Sequence, residues 1–200
     1  INRKHLKLNN TTKLILDEAD EMLNMGFLED VHEIISHMPE QKNIWMFSAT
    51  MPGPIKNLIK KDFNEPYFIS VKGDTLTNND IEQSYYCVKM KHFPEAICRL
   101  LDHEKDVYAL VFCRTRMDTK ELADHLNSRG HKAETLHGEM GQALRNKAMA
   151  NFKAKKTKLL ICTDVAARGI DVDNLTHVIN YDLPQDNESY IHRIGRTGRA

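Results

Sequence analysis

Short apolar runs alternate along this chain with longer stretches in which apolar residues recur every three or four positions. The first pattern predicts strands and the second amphipathic helices. A strand over 13–16 precedes a helix from about Asp20, which breaks at Gly26 and resumes over 27–38 with Phe27, Val31, Ile34, Ile35 and Met38 at helical spacing. Pro39 ends that helix. A second strand is expected over 43–47, a helix from Pro52 to about Asp62 with Ile55, Leu58 and Ile59 on one face, and a third strand over 67–71. Leu14, Ile15 and Leu16 read as a buried run, Trp45 as a core residue, and Met22, Met25 and Met46 as packing.

Residues 72–80 change character: Gly73, Asp74, Thr75, Thr77, Asn78 and Asn79 are turn formers with little to bury. This segment reads as a linker between two domains, 1–71 and 81–200. After it the pattern predicts strands over 81–89, 108–112, 133–136, 158–162 and 177–181, and helices over 93–103, 116–129 and 141–152. Regular alternation of strand and helix implies a parallel sheet covered on both faces, an α/β architecture. The chain opens on Ile1 and stops at Ala200 directly after a dense motif, so it reads as a fragment.

Composition narrows the picture only slightly. With 41% hydrophobic and 28% charged residues, the chain has the make-up of a water-soluble globular protein. No apolar run approaches the length of a membrane span, and no signal peptide is visible. Net charge is zero, which argues against a polycation that simply coats nucleic acid. The charge is unevenly spread: residues 10–70 carry ten acids against five lysines, and residues 141–200 carry ten basic residues against six acids. That asymmetry suggests a basic surface toward the C-terminal end. Cys87, Cys98, Cys113 and Cys162 fit no zinc spacing. They read as thiols of a reducing cytoplasm, not as disulfides.

The chemistry-bearing residues share one placement, directly after a predicted strand. Asp17, Glu18 and Asp20 follow the first and Ser48-Ala49-Thr50 the second. Arg114 and Thr115 follow the strand at 108–112, His137-Gly138 the one at 133–136, and Thr163-Asp164 with Arg168-Gly169-Ile170-Asp171 the one at 158–162. The carboxyl edge of a parallel sheet is where ligands bind. Two such edges facing one another across a linker would make a cleft for a shared ligand. A carboxylate there can hold Mg²⁺ beside nucleotide phosphates, and a second can orient an attacking water. On residue type alone, the three acids serve equally well as N-terminal groups of the next helix. Ser48 and Thr50 could cap the helix at Pro52, and Asp164 and Asp171 could be turn acids. The densest signal is 190–200, where Arg193, Arg196 and Arg199 recur every third residue with Gly195 and Gly198 between them. Arginine is suited to bidentate phosphate contacts, and glycine lets backbone approach a ligand.

Taken in order, these motifs resemble those of the DEAD-box ATP-dependent RNA helicases of superfamily 2, over essentially the whole chain. Asp17-Glu18-Ala19-Asp20 matches the name-giving motif and Ser48-Ala49-Thr50 the coupling motif. Residues 111–115 match the fourth motif, Gln142 and Arg145 the Gln-x-x-Arg element, 163–171 the fifth motif and 192–199 the sixth. Asp20 and His192 favour this family over the neighbouring DEAH helicases. The resemblance implies two RecA-like domains, the first truncated at its N-terminus, and ATP and Mg²⁺ as cofactors. It also implies roles. Asp17 would hold Mg²⁺ and Glu18 would activate water. Asp20, Ser48, Thr50, His192 and Arg193 would couple hydrolysis to domain closure. Arg196 and Arg199 would act as arginine fingers, and Asp171 would face the ribose. Arg114, Gln142, Arg145, Thr163 and the Gly169 backbone would touch RNA phosphates and sugars. The partner would be single-stranded RNA or a short duplex, bound by a monomer.

One element of the family is missing. No Gly-x-x-x-x-Gly-Lys-Ser/Thr loop occurs anywhere in the 200 residues. The isolated chain is therefore expected to lack activity, and residues 1–71 to be marginally stable with exposed apolar edges. Two rivals stay open at this point: a non-catalytic RNA clamp, and a metal-dependent nuclease built on Asp17, Glu18 and Asp20.

Overall fold

The computed structural model describes residues 6–70 and 81–198. The chain divides into two compact units, residues 1–71 and 72–200. The expected linker over 72–80, Val71 and Arg199 lie outside the described residues.

In the first unit, β1 (Lys13–Leu16) and β2 (Asn43–Met46) pair in parallel, with Ile15 opposite Trp45 and Leu16 opposite Met46. Three helices complete it: α1 (Ala19–Asn24), α2 (Leu28–Ser36) and α3 (Gly53–Asp62). Their inward residues Val31, Ile35, Ile55, Leu58 and Ile59 close over Leu16 and Ala19. Side chains alternate between the two faces of a strand, and these helices lie against one face of the pair. Leu14, Leu16, Ile44 and Met46 take that face. Ile15 and Trp45 take the other, and Trp45 is 57% exposed, contrary to its expected place in the core. The apolar run was a correct sign of a strand, but only half of it is covered.

The second unit holds a four-stranded parallel sheet in the order β4-β5-β3-β6. Its strands are β3 (Ala109–Phe112), β4 (Ala133–Leu136), β5 (Leu159–Cys162) and β6 (His177–Asn180). Around them lie α4 (Phe93–His103), α5 (Arg116–Ser128), α6 (Gln142–Lys153), α7 (Asp164–Ala167) and α8 (Asn187–Ile194). Strands β3 and β5 are buried along their whole length, as central strands covered on both faces must be. One face packs Val111, Cys113 and Ile161 against Ile97, Leu122 and Leu126. The other packs Leu110, Phe112, Leu160 and Cys162 against Phe152, Ala166 and Ile170. Cys113 and Cys162 thus point into opposite faces of the sheet and do not face one another, and all four cysteines are free thiols.

Among the described residues, two expected strands do not form. Residues 67–70 and 81–89 form no strand. An extended segment becomes a strand only when a neighbour takes up its backbone hydrogen bonds, and among the described residues neither segment has one. Tyr67, Ile69, Tyr85 and Tyr86 are consequently exposed.

Candidate functional site: two strand-end clusters

In the first unit the chain leaves β1 through a left-handed residue, Glu18, with φ 50° and ψ 47°. That conformation is uncommon for a residue with a side chain. It leaves Asp17 exposed at the strand end, where its Oδ1 accepts from the Glu18 amide at 3.0 Å. Two residues on, Asp20 turns inward and is only 1% exposed. Its Oδ2 accepts from both the amide (2.8 Å) and the hydroxyl (2.9 Å) of Thr50, and its Oδ1 accepts from the Glu21 amide at 3.2 Å. The Asp20 amide in turn donates to Ser48 Oγ at 3.2 Å, and that hydroxyl donates to the Thr50 carbonyl at 2.7 Å. Burial by itself would raise the Asp20 pKa, but the Thr50 and Glu21 hydrogen bonds outweigh it and hold the carboxyl below its ordinary value.

Asp20, Ser48 and Thr50 therefore form one network across the ends of β1 and β2. The cap of α3 is Pro52, with no side-chain hydrogen bond, so Ser48 and Thr50 are not its caps. With both oxygens of Asp20 engaged inside the unit, the three-acid nuclease arrangement is not supported.

In the second unit Arg114 and Thr163 follow the carboxyl ends of strands, and the other expected residues lie on or beside α6, α7 and α8. Arg114 follows β3; its amide donates to Asp182 Oδ2 at 2.9 Å, and its guanidinium lies 3.8 Å from Asp182 Oδ1. Thr115 caps α5 in a reciprocal capping box with Asp118. Thr163 is the N-cap of α7, with no side-chain cap bond of its own. Gly169 adopts φ +67°, the region glycine favours. Gln142 and Arg145 lie in the first turns of α6, and Gln142 Nε2 donates to Asn146 Oδ1 at 2.8 Å. Arg196, just past α8, donates from Nη1 to the Ile170 carbonyl at 3.1 Å, which brings it beside the loop that carries the exposed Asp171. A Cβ on Gly195 would come within 3.1 Å of the Ile191 carbonyl, so the turn that aims Arg196 is closed tightly on the helix end. His192 lies on α8, half-buried. Arg199 lies outside the described residues.

Several contacts were not legible in the sequence. Asp164 pairs with Arg193 through two contacts, Nε to Oδ1 at 2.6 Å and Nη2 to Oδ2 at 2.7 Å. Asn180 Oδ1, at the end of β6, and the Asp182 carbonyl, two residues past it, accept from the same guanidinium. Asp182 directly follows the strand expected over 177–181, so a strand-end signal existed for it; Asn180 fell inside that expected strand and carried none. The Tyr190 hydroxyl donates to Gln83 Oε1 at 2.7 Å, tying the segment that opens the second unit to α8. No pattern in the sequence announces that contact. The helix α8 itself also went unseen, because its glycine-interleaved end reads as a loop.

The family profile described as helicase conserved C-terminal domain matches residues 92–200, more than half of the chain, and that of the DEAD/DEAH box helicases matches residues 1–58. The chain belongs to the DEAD-box helicases. Over its full 200 residues it is 47% identical to the DEAD-box ATP-dependent RNA helicase CshA of Bacillus subtilis, and 48% identical to that of Geobacillus kaustophilus. It spans 40% and 43% of the length of those two relatives. Among solved structures it resembles a DEAD box protein from Methanococcus jannaschii, with 53% identity, a TM-score of 0.59, and coverage of 100% of this chain and 53% of that one. It also resembles Saccharomyces cerevisiae Dbp5 bound to RNA and ADP-BeF3, with 30% identity, a TM-score of 0.87, and coverage of 99% and 53%. The parallel α/β sheets of both units agree with these DEAD-box folds.

Proposed function

We propose that this chain is the part of an ATP-dependent RNA helicase that couples ATP hydrolysis to local opening of RNA duplexes. The observation that carries the reading is the Asp20–Thr50 tie: an acidic strand end whose buried member is bound to the neighbouring strand end, while Asp17 stays exposed beside it. In this reading the units are the C-terminal part of a first RecA-like domain and a second RecA-like domain. Both would work in the cytoplasm, and the enzyme would act as a monomer.

The residues present fit Mg²⁺. A single exposed carboxylate is a hard oxygen donor suited to an ion held mainly by water and phosphate oxygens. Among the described residues, no group of three or more potential ligands competes with that arrangement. Asp17 would hold the ion. When bound, ATP with its Mg²⁺ supplies the transferable phosphoryl group and neutralises charge on it. Glu18 orients the attacking water and takes its proton. Arg196 and Arg199 present guanidinium groups to phosphate oxygens, and Asp171 accepts from the ribose. Arg114, Gln142, Arg145, Thr163 and the Gly169 amide hold RNA by phosphate and sugar, which positions a strand without reading its bases. Asp20, Ser48, Thr50, His192 and Arg193 link the two activities.

The test is RNA-stimulated ATPase and strand separation by the full-length protein that contains this chain, with single-stranded DNA as control. Turnover stimulated by RNA together with ATP-dependent separation of a short duplex is the expected result. RNA binding without ATP turnover would replace this reading with the clamp.

A further inference from the structure

Among the described residues of the second unit, Arg193 is the most deeply buried charged side chain, at 3% exposure. Four of its five donors are engaged within that unit. Two hold both oxygens of Asp164, and Nη1 reaches Asn180 Oδ1 at 2.9 Å and the Asp182 carbonyl at 2.6 Å. The guanidinium also lies over the Phe112 ring, 4.9 Å from its centre. Charge, planar hydrogen bonding and an aromatic face thus converge on one group, and little of it is left for anything outside.

The contact joins three places in the unit. Asp164 opens α7, one residue after Thr163. Asn180 ends β6 and Asp182 follows two residues later. Arg193 sits in α8, three residues before Arg196, and the Arg196 amide donates to the Arg193 carbonyl at 3.2 Å. Resting on the helicase reading above, we infer that Arg193 is a positioning residue of the second unit. With Asp164 it locks the turn that presents Thr163 to RNA onto the helix that presents Arg196 to phosphate. The two ligand-facing groups then keep one spacing. A shift in either is carried to the other through a planar, two-point contact that cannot slide without breaking both hydrogen bonds. A short helix such as α7, only four residues long, has too few internal hydrogen bonds to hold its own orientation. The Arg193 fork supplies what it lacks.

Asp164→Asn in the full-length protein tests this. It keeps the side-chain volume and one acceptor but removes the charge and the second acceptor. The measured quantity is the ratio of RNA-stimulated to basal kcat, together with separate Kd values for RNA and a non-hydrolysable ATP analogue, and the Tm. The ratio should fall about tenfold, within the range of coupling between sites, while both Kd values stay within about threefold. An unchanged ratio overturns the inference. So does a loss in which both affinities and Tm fall together, since that is ordinary structural damage. Should Asp164→Asn fail to fold, Asn180→Ala removes one acceptor and no charge; the same ratio should then fall by about threefold, and an unaltered ratio is again fatal. A wild-type protein that RNA does not stimulate would defeat the helicase reading. Stimulated wild type with an equally stimulated variant defeats the clamp role of Arg193 alone.

Discussion

Removing the Asp20 carboxylate should unfold the first unit at markedly lower denaturant. Asp20 accepts two bonds from Thr50, 30 residues away, and these join the end of β1 to the end of β2. A net contribution of about 1.5 kcal/mol for each bond to a charged acceptor makes Asp20→Ala cost about 3 kcal/mol. The Glu21 bond is longer and local, so it adds less. Asp20→Asn should cost roughly half as much, since its carbonyl oxygen can still face both Thr50 donors without the charge assistance. The assay is urea denaturation followed at Trp45, the single tryptophan of the chain, which lies in β2 of the same unit. A loss under about 0.5 kcal/mol for Asp20→Ala, the size of an ordinary surface substitution, would refute the argument.

The same network sets a pH dependence. The Asp20 carboxyl is held below its ordinary value when folded, so the folded state binds its proton less readily than the unfolded state. Its contribution to stability is then complete above the unfolded value near 4 and is lost as pH falls through the lower folded value. The difference between wild type and Asp20→Asn should accordingly shrink on acidification. A difference that grows would mean the carboxylate is not the stabilising form.

Other expectations are simpler. Glu18→Gln in the full-length protein should keep ATP and RNA binding but lower turnover by about 10²-fold or more, as loss of a general base does; undiminished ATPase rejects that role. Arg196→Lys should lower RNA-stimulated ATPase at least about tenfold, because Lys keeps the charge but not the planar fork. Phe152→Ala, at a fully buried position with its ring 4.5 Å from that of Tyr108, should cost about 3–5 kcal/mol in urea denaturation. A maleimide should label exposed Cys87 in the native chain and reach Cys98, Cys113 and Cys162 only after unfolding, since burial also raises those three thiols' pKa. Mass spectrometry of intact protein counts the adducts.

Strands that bury both faces, such as β3 and β5, are unbroken apolar runs, so their positions were plain from residue type. So were the clusters at their ends, because a sheet presents whatever follows each strand along one edge. Trp45 shows where this fails. An apolar run says that a strand exists but not which of its faces is covered, and cover depends on elements far off in the chain. Residues 81–89 fail for a related reason: their β-like composition needs a partner strand to become a ladder. Asp164 was legible as a polar residue but not as a partner. Its role depends on Arg193, 29 residues later, and on the fold that brings α7 beside α8.

The arginine triplet carries this point furthest. By spacing alone Arg193 and Arg196 look equivalent, since both occur at a spacing of three within one glycine-interleaved run, and only the family resemblance gives them different roles. The end of α8 separates them. Arg193 lies on the last turn, whose inward side meets the ends of β6 and α7, so its charge is neutralised by Asp164 inside the unit. Arg196 comes after Ile194, the last helical residue, and after Gly195, so its guanidinium is directed to the Ile170–Asp171 loop. One repeat thus yields an internal fastener and a group set against a neighbouring loop, which under the helicase proposal meets phosphate. The requirement for arginine at the two places then has different physical origins. At Arg196, under the helicase proposal, it would be the geometry of phosphate oxygens, for which charge and a planar fork both count. At Arg193 it is a desolvated site where an ammonium could satisfy at most three acceptors and could not span both Asp164 oxygens while reaching β6.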